Sequence, residues 1–170
     1  INTEALKNQS LEVNRLDLIF PDGTWLQFPG NSLLQPRAFD QAWVETDKPF
    51  TVYLGLRKLD PHSANVAVLE NRDALSGAAA RLVTFKEAEE INDLYTAGPS
   101  ASIKQLHFLL RIFWENEIEE LHDYDLIPIA QLLREGEDIL LSREFIPPCL
   151  SVSASDSLFK MVKSVRDQVA

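Results

Sequence analysis

The sequence has little of what disulfide-bonded, secreted or membrane-spanning proteins need. It contains a single cysteine, Cys149, among 170 residues, so no disulfide can form within the chain and nothing favours an oxidising compartment. No apolar run approaches the roughly 18 residues of a membrane span. Residues 1–10 lack the basic start and apolar core of a signal peptide. We therefore expect no direct membrane insertion, and the missing initiator Met predicts a piece of a longer protein.

Basic residues are also scarce. The chain has 16 Lys and Arg against 26 Asp and Glu, which gives a net charge of −10. A nucleic-acid partner requires a basic stripe that neutralises phosphates, and an anionic membrane surface requires a similar patch. The charge therefore predicts neither partner, and its ordinary role is to keep the protein soluble.

Motifs of catalysis are missing as well. The six glycines stand singly, so no P-loop is present, and no G-x-S-x-G elbow occurs. His62, His107 and His122 have no partner at the three- or four-residue spacing of metal ligands. Cys149 follows two prolines and precedes Leu150, a setting typical of a buried structural thiol. We expect no enzyme, no metal and no cofactor.

Two groups of side chains leave a rival function open. One acidic run contains Glu115, Glu117, Glu119 and Glu120. A contiguous run is typical of a solvated loop, whereas a glycosidase needs two carboxylates that face each other across a substrate. Trp25, Trp43 and Trp114 could form a sugar-stacking platform, although tryptophans more often fill a core or an interface. A carbohydrate-binding or hydrolytic β-sandwich domain is therefore the alternative function.

The clearest positive signal is alternation of apolar and polar residues. Residues 16–20 and 24–28 alternate on either side of Pro21-Asp22-Gly23, which predicts a hairpin closed by a type I turn with a Gly bulge. Residues 50–56 give the strongest single strand pattern. An isolated hairpin is marginal in water, so we expect further strands to pair with it.

Several other segments are predicted to be strands: residues 66–69 as the return from 50–56, 81–86, 103–117, 124–134 and 138–142. Residues 103–117 also fit a helix, but their aromatic and β-branched content favours a strand. Pro128 predicts an edge or a strand start at its position. The remaining segments are predicted to be irregular: 1–10 leading into the first strand, 30–48 as a surface loop with a short helix or strand near 42–45, 70–80 as a loop, 87–94 as a helix or an edge segment, and 97–102 as a linker.

The period changes near the end of the chain. After a cap at Ser153 or Ser155, apolar residues recur at gaps of three and four, which predicts a helix with one apolar stripe. The stripe consists of Leu158, Met161, Val162, Val165 and Val169. We therefore predict a mainly β fold, with a β-sandwich over residues 1–152 and the start of a helical stalk over 153–170. The stripe is a candidate protein interface: it either folds back on its own sandwich or packs against equivalent helices of neighbouring copies.

Four stretches, in this order and spacing, resemble one known family. They are residues 1–6 with 11–16, the FPDGT of 20–24, the LIPIA within 124–131, and the FIPPCL of 145–150. Together they are similar to the N-terminal domain of the type VI secretion system baseplate protein family TssK, also called ImpJ or VasE. The sequence departs from the family pattern at both ends. It lacks the family's preceding motif rich in Pro, Gln and His, and the helical middle region and C-terminal domain that follow.

The resemblance implies a structural role. It implies a β-sandwich similar to the shoulder domain of phage receptor-binding proteins, held in a homotrimer, and no enzymatic activity. It further implies docking onto the baseplate wedge subunits TssF and TssG, in the bacterial cytoplasm at the inner membrane. It assigns no individual site residue.

Overall fold

The computed structural model describes residues 1–43, 47–96 and 98–169. Within these ranges the chain forms a β-rich body with a helix near each end. The helices are α1 (Thr3–Lys7) and α2 (Asp156–Val169). The strands are β1 (Ser10–Leu11), β2 (Leu16–Ile19), β3 (Trp25–Phe28), β4 (Ser32–Leu33), β5 (Arg37–Ala38), β6 (Phe50–Arg57), β7 (Val66–Leu69), β8 (Leu82–Phe85), β9 (Glu89–Ile91), β10 (Ala101–Ile103), β11 (His107–Trp114), β12 (Tyr124–Glu135) and β13 (Asp138–Leu141).

The main sheet has the order β13-β12-β6-β11-β8-β7, with β4 added in parallel to β11. The predicted strand β7 is present, but its predicted pairing is wrong. It runs parallel to β8 instead of returning beside β6. The reason is that β11 and β12 already occupy both edges of β6.

Strand β6 is the centre of the core. Its even-numbered residues Phe50 to Leu56 are buried, and Leu54 lies opposite Ile112 on one side and Ile127 on the other. The segment 103–117 is therefore a strand over its central part, as predicted. On the opposite face, a side chain at Gly55 would lie 2.5 Å from the ring of Phe113, so only glycine lets this ring lie flat on the sheet.

The predicted hairpin is confirmed as β2 and β3, with Leu18 opposite Leu26. Gly23 has φ +85°, and its N–H donates to the carbonyl of Phe20 at 2.8 Å. The expectation that further strands pair with the hairpin is wrong, because β2 and β3 form a two-stranded sheet of their own. The hairpin is stabilised by burial of Phe20 and Leu26 in the core and not by hydrogen bonds to further strands.

Most of residues 1–43 form a second layer over one face of the main sheet, whereas β4 belongs to the sheet itself. Residues 1–10 lead into β1, as predicted, and they do so through helix α1, which was not predicted. The side chain of Asn2 accepts a hydrogen bond from the N–H of Glu4 and caps this helix. Leu6 is buried in the common core, and its burial stabilises the helix. This burial is needed because an isolated five-residue helix is not stable in water.

The segment 30–48 is also not the predicted surface loop. It contains β4 and β5, and it places Phe39 and Trp43 in the core. The Trp43 ring stacks on Phe50 at 5.5 Å between centroids, and Phe39 meets Trp114 edge to face at 6.0 Å. Of the element predicted near 42–45, residues 44 and 45 lie outside the described residues.

Pro128 lies inside β12, beside an irregularity between Pro128 and Ala130. In the described part of the sheet, β13 pairs with β12 only from Leu132 onward. Pro128 therefore stands where the second edge of β12 has no ladder partner, in agreement with the predicted edge position. A tight turn follows β12, in which Glu135 pairs with Asp138 around Gly136 at φ +66°.

The two remaining predictions for loops are wrong in part. Residues 101–102 do not belong to a linker, because β10 pairs antiparallel with β9 to form a separate two-stranded arm. Within 87–94, Glu89–Ile91 form the edge strand β9 of this arm, in agreement with one of the two predicted alternatives. The segment 70–80 contains a 3₁₀ turn, Arg72–Leu75, capped by Asn71.

Candidate interaction surface

Helix α2 begins at the predicted cap. The hydroxyl oxygen of Ser155 accepts a hydrogen bond from the N–H of Leu158 at 3.3 Å, and the Ser155 carbonyl accepts from the N–H of Phe159 at 2.9 Å. Asp156 stands in the first turn, where a negative charge is favourable for the helix dipole. The hydroxyl of Ser157 donates to the carbonyl of Arg143 at 2.6 Å and ties this first turn to the segment after β13.

The predicted stripe lies on one side of α2, and it is not covered by its own chain. Four of its five side chains are exposed, from 47% for Val162 to 84% for Val169, and the fifth, Leu158, is half-buried. Among the described residues, neither hydrophobic core cluster includes a residue of α2. An apolar stripe of this kind requires a covering surface, and the chain's own sandwich does not supply it.

A second feature of the helix was not predicted from the sequence. Phe159 is 54% exposed, on the face adjacent to the stripe. Together with Val152 and Val162 it lines a groove of about 360 Å³ between α2 and the 3₁₀ turn Val152–Ala154. Lys163 and Arg166 stand at the same groove. We call this the helix groove. Phe159 stands three residues before Val162, so the same spacing could have revealed it, but the predicted stripe begins at Leu158.

The tryptophans do not form a platform. Trp43 and Trp114 are 5% and 1% exposed and belong to the aromatic core. Trp25 alone of the three is exposed, and its ring N–H donates to the carboxylate of Asp17 at 2.6 Å. The sugar-stacking arrangement considered from the sequence is therefore wrong.

The acidic run is only partly a solvated loop. The carboxylate of Glu115 accepts from the N–H of Thr51 at 2.9 Å, and Glu117 pairs with Arg37 at 2.5 Å. Burial opposes ionisation of Glu117, but hydrogen bonds from Arg37 and from the N–H of Trp114 outweigh it and hold the pKa of Glu117 below its usual value. These two carboxylates bind neighbouring chain segments and do not face each other across a cleft.

Cys149 was expected to be buried, but it is half-buried. Its thiol lies 2.9 Å from the carbonyl of Pro147, to which it donates. Across the described ranges, no three His, Cys, Asp or Glu side chains converge as metal ligands do. Over the same part of the chain, no helix has the length and apolarity to cross a membrane.

Comparison with known families identifies the chain. The model of the family described as bacterial type VI secretion, EvfL, ImpJ, VasE matches residues 1–170. The chain belongs to this VasE/ImpJ family. A comparison with curated proteins finds no match.

Solved structures have the same fold as this VasE/ImpJ chain. A chain in the cryo-electron microscopy structure of the type VI secretion system TssK-TssF-TssG baseplate subcomplex matches with TM-score 0.77 and 21% identity, over 96% of this chain and 52% of that one. A crystal structure of TssK matches with TM-score 0.76 and 21% identity, over 98% and 36%. A chain in the baseplate complex from the type VI secretion system matches with TM-score 0.76 and 23% identity, over 96% and 50%. The VasE/ImpJ chain thus spans about half, or less, of the length of these relatives.

Proposed function

We propose that this chain is the N-terminal docking domain of a type VI secretion baseplate subunit and binds wedge subunits of the TssF and TssG type. The observation that carries the proposal is the family match over residues 1–170. Further support comes from the fold, which is shared with chains of a TssK-TssF-TssG subcomplex and of a baseplate complex. The proposed role is structural and not enzymatic, in the bacterial cytoplasm at the inner membrane.

The proposal divides the chain into an assembly domain and the start of a stalk. Residues 1–152 are the β-sandwich, and residues 153–170 begin the stalk. In support of this division, the described core clusters draw only on the first part. In the stalk, Leu158, Met161, Val162, Val165 and Val169 pack against the equivalent helices of neighbouring copies in a homotrimer. Because a helix of this length is too short to hold three chains together alone, the sandwich contributes most of the trimer contact.

Co-purification tests the docking role. The chain is immobilised and offered purified TssF-like and TssG-like subunits of the same secretion system. We expect saturable retention of at least one subunit. A bait that carries Trp114→Ala is the control, since it loses a fully buried core side chain and should retain less. A folded wild-type bait that retains neither subunit contradicts the proposal, and saturable quenching of tryptophan fluorescence by an oligosaccharide would favour the carbohydrate-binding rival.

A double substitution tests the stripe. Leu158→Asp with Val165→Asp places two charges on the apolar face, so the apparent mass in light scattering should fall because desolvating those charges opposes packing between helices. The β-sandwich should keep its unfolding midpoint.

The matched control is Ser164→Asp with Gln168→Asp. It adds the same charge to exposed positions of α2 outside the stripe and should leave the mass unchanged. If Leu158→Asp with Val165→Asp instead abolishes the cooperative unfolding of the domain, the helix belongs to the core of its own chain and the stalk is wrong.

A further inference from the structure

The β9–β10 arm ends in two apolar side chains that its own chain leaves in water. The arm forms a two-stranded sheet apart from the main sheet, with Ser102 opposite Glu90. At its tip, Leu94 is 88% and Tyr95 97% exposed. Because the two side chains are adjacent, they form an apolar patch, and exposed apolar patches mark sites of contact with another molecule.

The tip is held in a fixed turn. The carboxylate of Asp93 accepts hydrogen bonds from the N–H groups of Tyr95 at 2.8 Å and Thr96 at 3.0 Å, and from the hydroxyl of Thr96. The Thr96 hydroxyl and these N–H groups lower the pKa of Asp93 to about 2. These hydrogen bonds stabilise the ionised carboxylate, which is the form present at neutral pH, and so keep the turn formed. A turn ordered before binding reduces the conformational entropy that docking would otherwise cost.

The arm also carries charge of one sign. Residues 87–103 contain Glu87, Glu89, Glu90 and Asp93 and no Lys or Arg. An apolar tip with acidic flanks is complementary to an apolar pocket with a basic rim. Opposite charges at such a rim steer the encounter and fix the register of the contact.

The helix groove has this character. Val152, Phe159 and Val162 supply its apolar wall, and Lys163 and Arg166 supply its positive charge. Arg166 also contacts the carboxylate of Asp167 at 2.6 Å, but both side chains are more than half exposed, and surface pairs of this kind exchange partners at little cost. The groove volume of about 360 Å³ is large enough for two side chains of the size of Leu94 and Tyr95.

We propose that the arm of one copy inserts Leu94 and Tyr95 into the helix groove of a second copy. Both complementary surfaces belong to the same chain, and the exposure of the tip shows that it does not fill the groove of its own copy. The acidic flanks of the arm then lie against Lys163 and Arg166 of the neighbour. The contact is heterologous, since different patches of the two copies meet, and such contacts close into a ring when the rotation between copies divides a full turn. The inference rests on the self-association part of the proposed function and not on binding of wedge subunits.

Removal of the tip tests the contact. Self-association of the 170-residue chain is measured by sedimentation velocity over a range of concentrations. Leu94→Ser with Tyr95→Ser should weaken the association constant at least about tenfold, because the buried anchor is lost. The matched control is Leu59→Ser, which removes an apolar side chain that is 64% exposed in another loop and should leave the constant unchanged.

A charge exchange identifies the receiving surface. Variant A carries Glu89→Lys and Glu90→Lys, and variant B carries Lys163→Glu and Arg166→Glu. Each alone brings like charges together and should associate with itself more weakly than the wild type. A mixture of A and B places opposite charges together again and should form mixed oligomers, which a fluorescent label on A detects in sedimentation.

Three results would overturn the proposal. A wild-type chain that stays monomeric at the highest concentration reached has no such contact. A mixture of A and B that associates no better than either variant shows that the arm and the groove do not meet. The third result is a tip variant that keeps wild-type self-association but is no longer retained by wedge subunits. The arm would then bind the wedge subunits, which supports the docking role and contradicts the arm-in-groove contact.

Discussion

Replacing Arg81 with methionine is expected to lower the free energy of unfolding by about 2–4 kcal/mol. The side chain is 3% exposed and joins three parts of the chain. Its guanidinium donates to the carbonyl of Arg57 at 2.7 Å, to the carboxylate of Asp22 at 2.6 Å and to the hydroxyl of Thr24 at 2.7 Å. Methionine fills similar space but leaves these acceptors without their donor. Urea unfolding followed by circular dichroism measures the loss.

The pH dependence separates this pairing from simple packing. Burial raises the pKa of Asp22, but hydrogen bonds from Thr24 and Arg81 outweigh it and hold the pKa below its usual value. A carboxylate with a lowered pKa stabilises the fold fully above its ordinary pKa, and this stabilisation is lost as the pH falls through the lowered value. The difference in free energy of unfolding between wild type and Arg81→Met should therefore become smaller as the pH is lowered below 3.8, the ordinary pKa of an Asp carboxyl.

Lys86→Met is the control for Arg81→Met. Lys86 pairs with Glu70, but both side chains are more than half exposed, so the change should cost less than about 1 kcal/mol. Equal losses for the two variants would show that Arg81 does not act as a buried connection between the hairpin turn and the main sheet.

Trp114→Ala is expected to cost about 3–5 kcal/mol, close to the whole stability of many domains of this size. The indole is 1% exposed and touches Phe39 and Phe50 within the aromatic core. The guanidinium of Arg37 lies over the Trp114 ring at 5.1 Å and forms an ion pair with Glu117. The truncation therefore also removes the cation–π contact that positions this ion pair. Thermal unfolding followed by near-ultraviolet circular dichroism reports both the loss of stability and the loss of fixed aromatic packing.

Trp25→Ala is the matched comparison for Trp114→Ala. Trp25 is 52% exposed and loses little buried area, together with one hydrogen bond to Asp17. We expect a cost of about 1 kcal/mol. If Trp25→Ala were as damaging as Trp114→Ala, the division of the tryptophans between core and surface would be wrong.

The sequence predicted the strands whose two faces differ most. β2, β3 and β6 alternate because one face meets the core and the other does not. The core position of residues 30–48 could not be predicted in this way, because Phe39 and Trp43 enter the core from irregular backbone with no fixed period. The pairing of β7 also escaped it, since the choice of a parallel neighbour depends on which edges of the sheet other strands have already taken.

The interaction surface was predictable to a similar extent. The period of α2 marks its stripe directly, because one face of a regular helix repeats in the sequence. The helix groove depends on a 3₁₀ turn that packs beside Phe159, and no sequence period reports such packing. The β9–β10 arm lacks the apolar alternation of a half-buried strand, because none of its paired residues is buried.

The placement of residues 1–43 has a consequence for synthesis on the ribosome. Leu6 belongs to a core that also includes Leu132 and Ile139, and α1 lies against β13. During translation, α1 therefore cannot bury Leu6 until β12 and β13 have been synthesised, which is when nearly the whole sandwich has emerged. Contacts between residues so far apart in the chain form slowly, since the intervening loop must close first. The nascent domain thus keeps apolar side chains of its earliest segment in water for most of its synthesis, and that interval is when a chaperone would bind it.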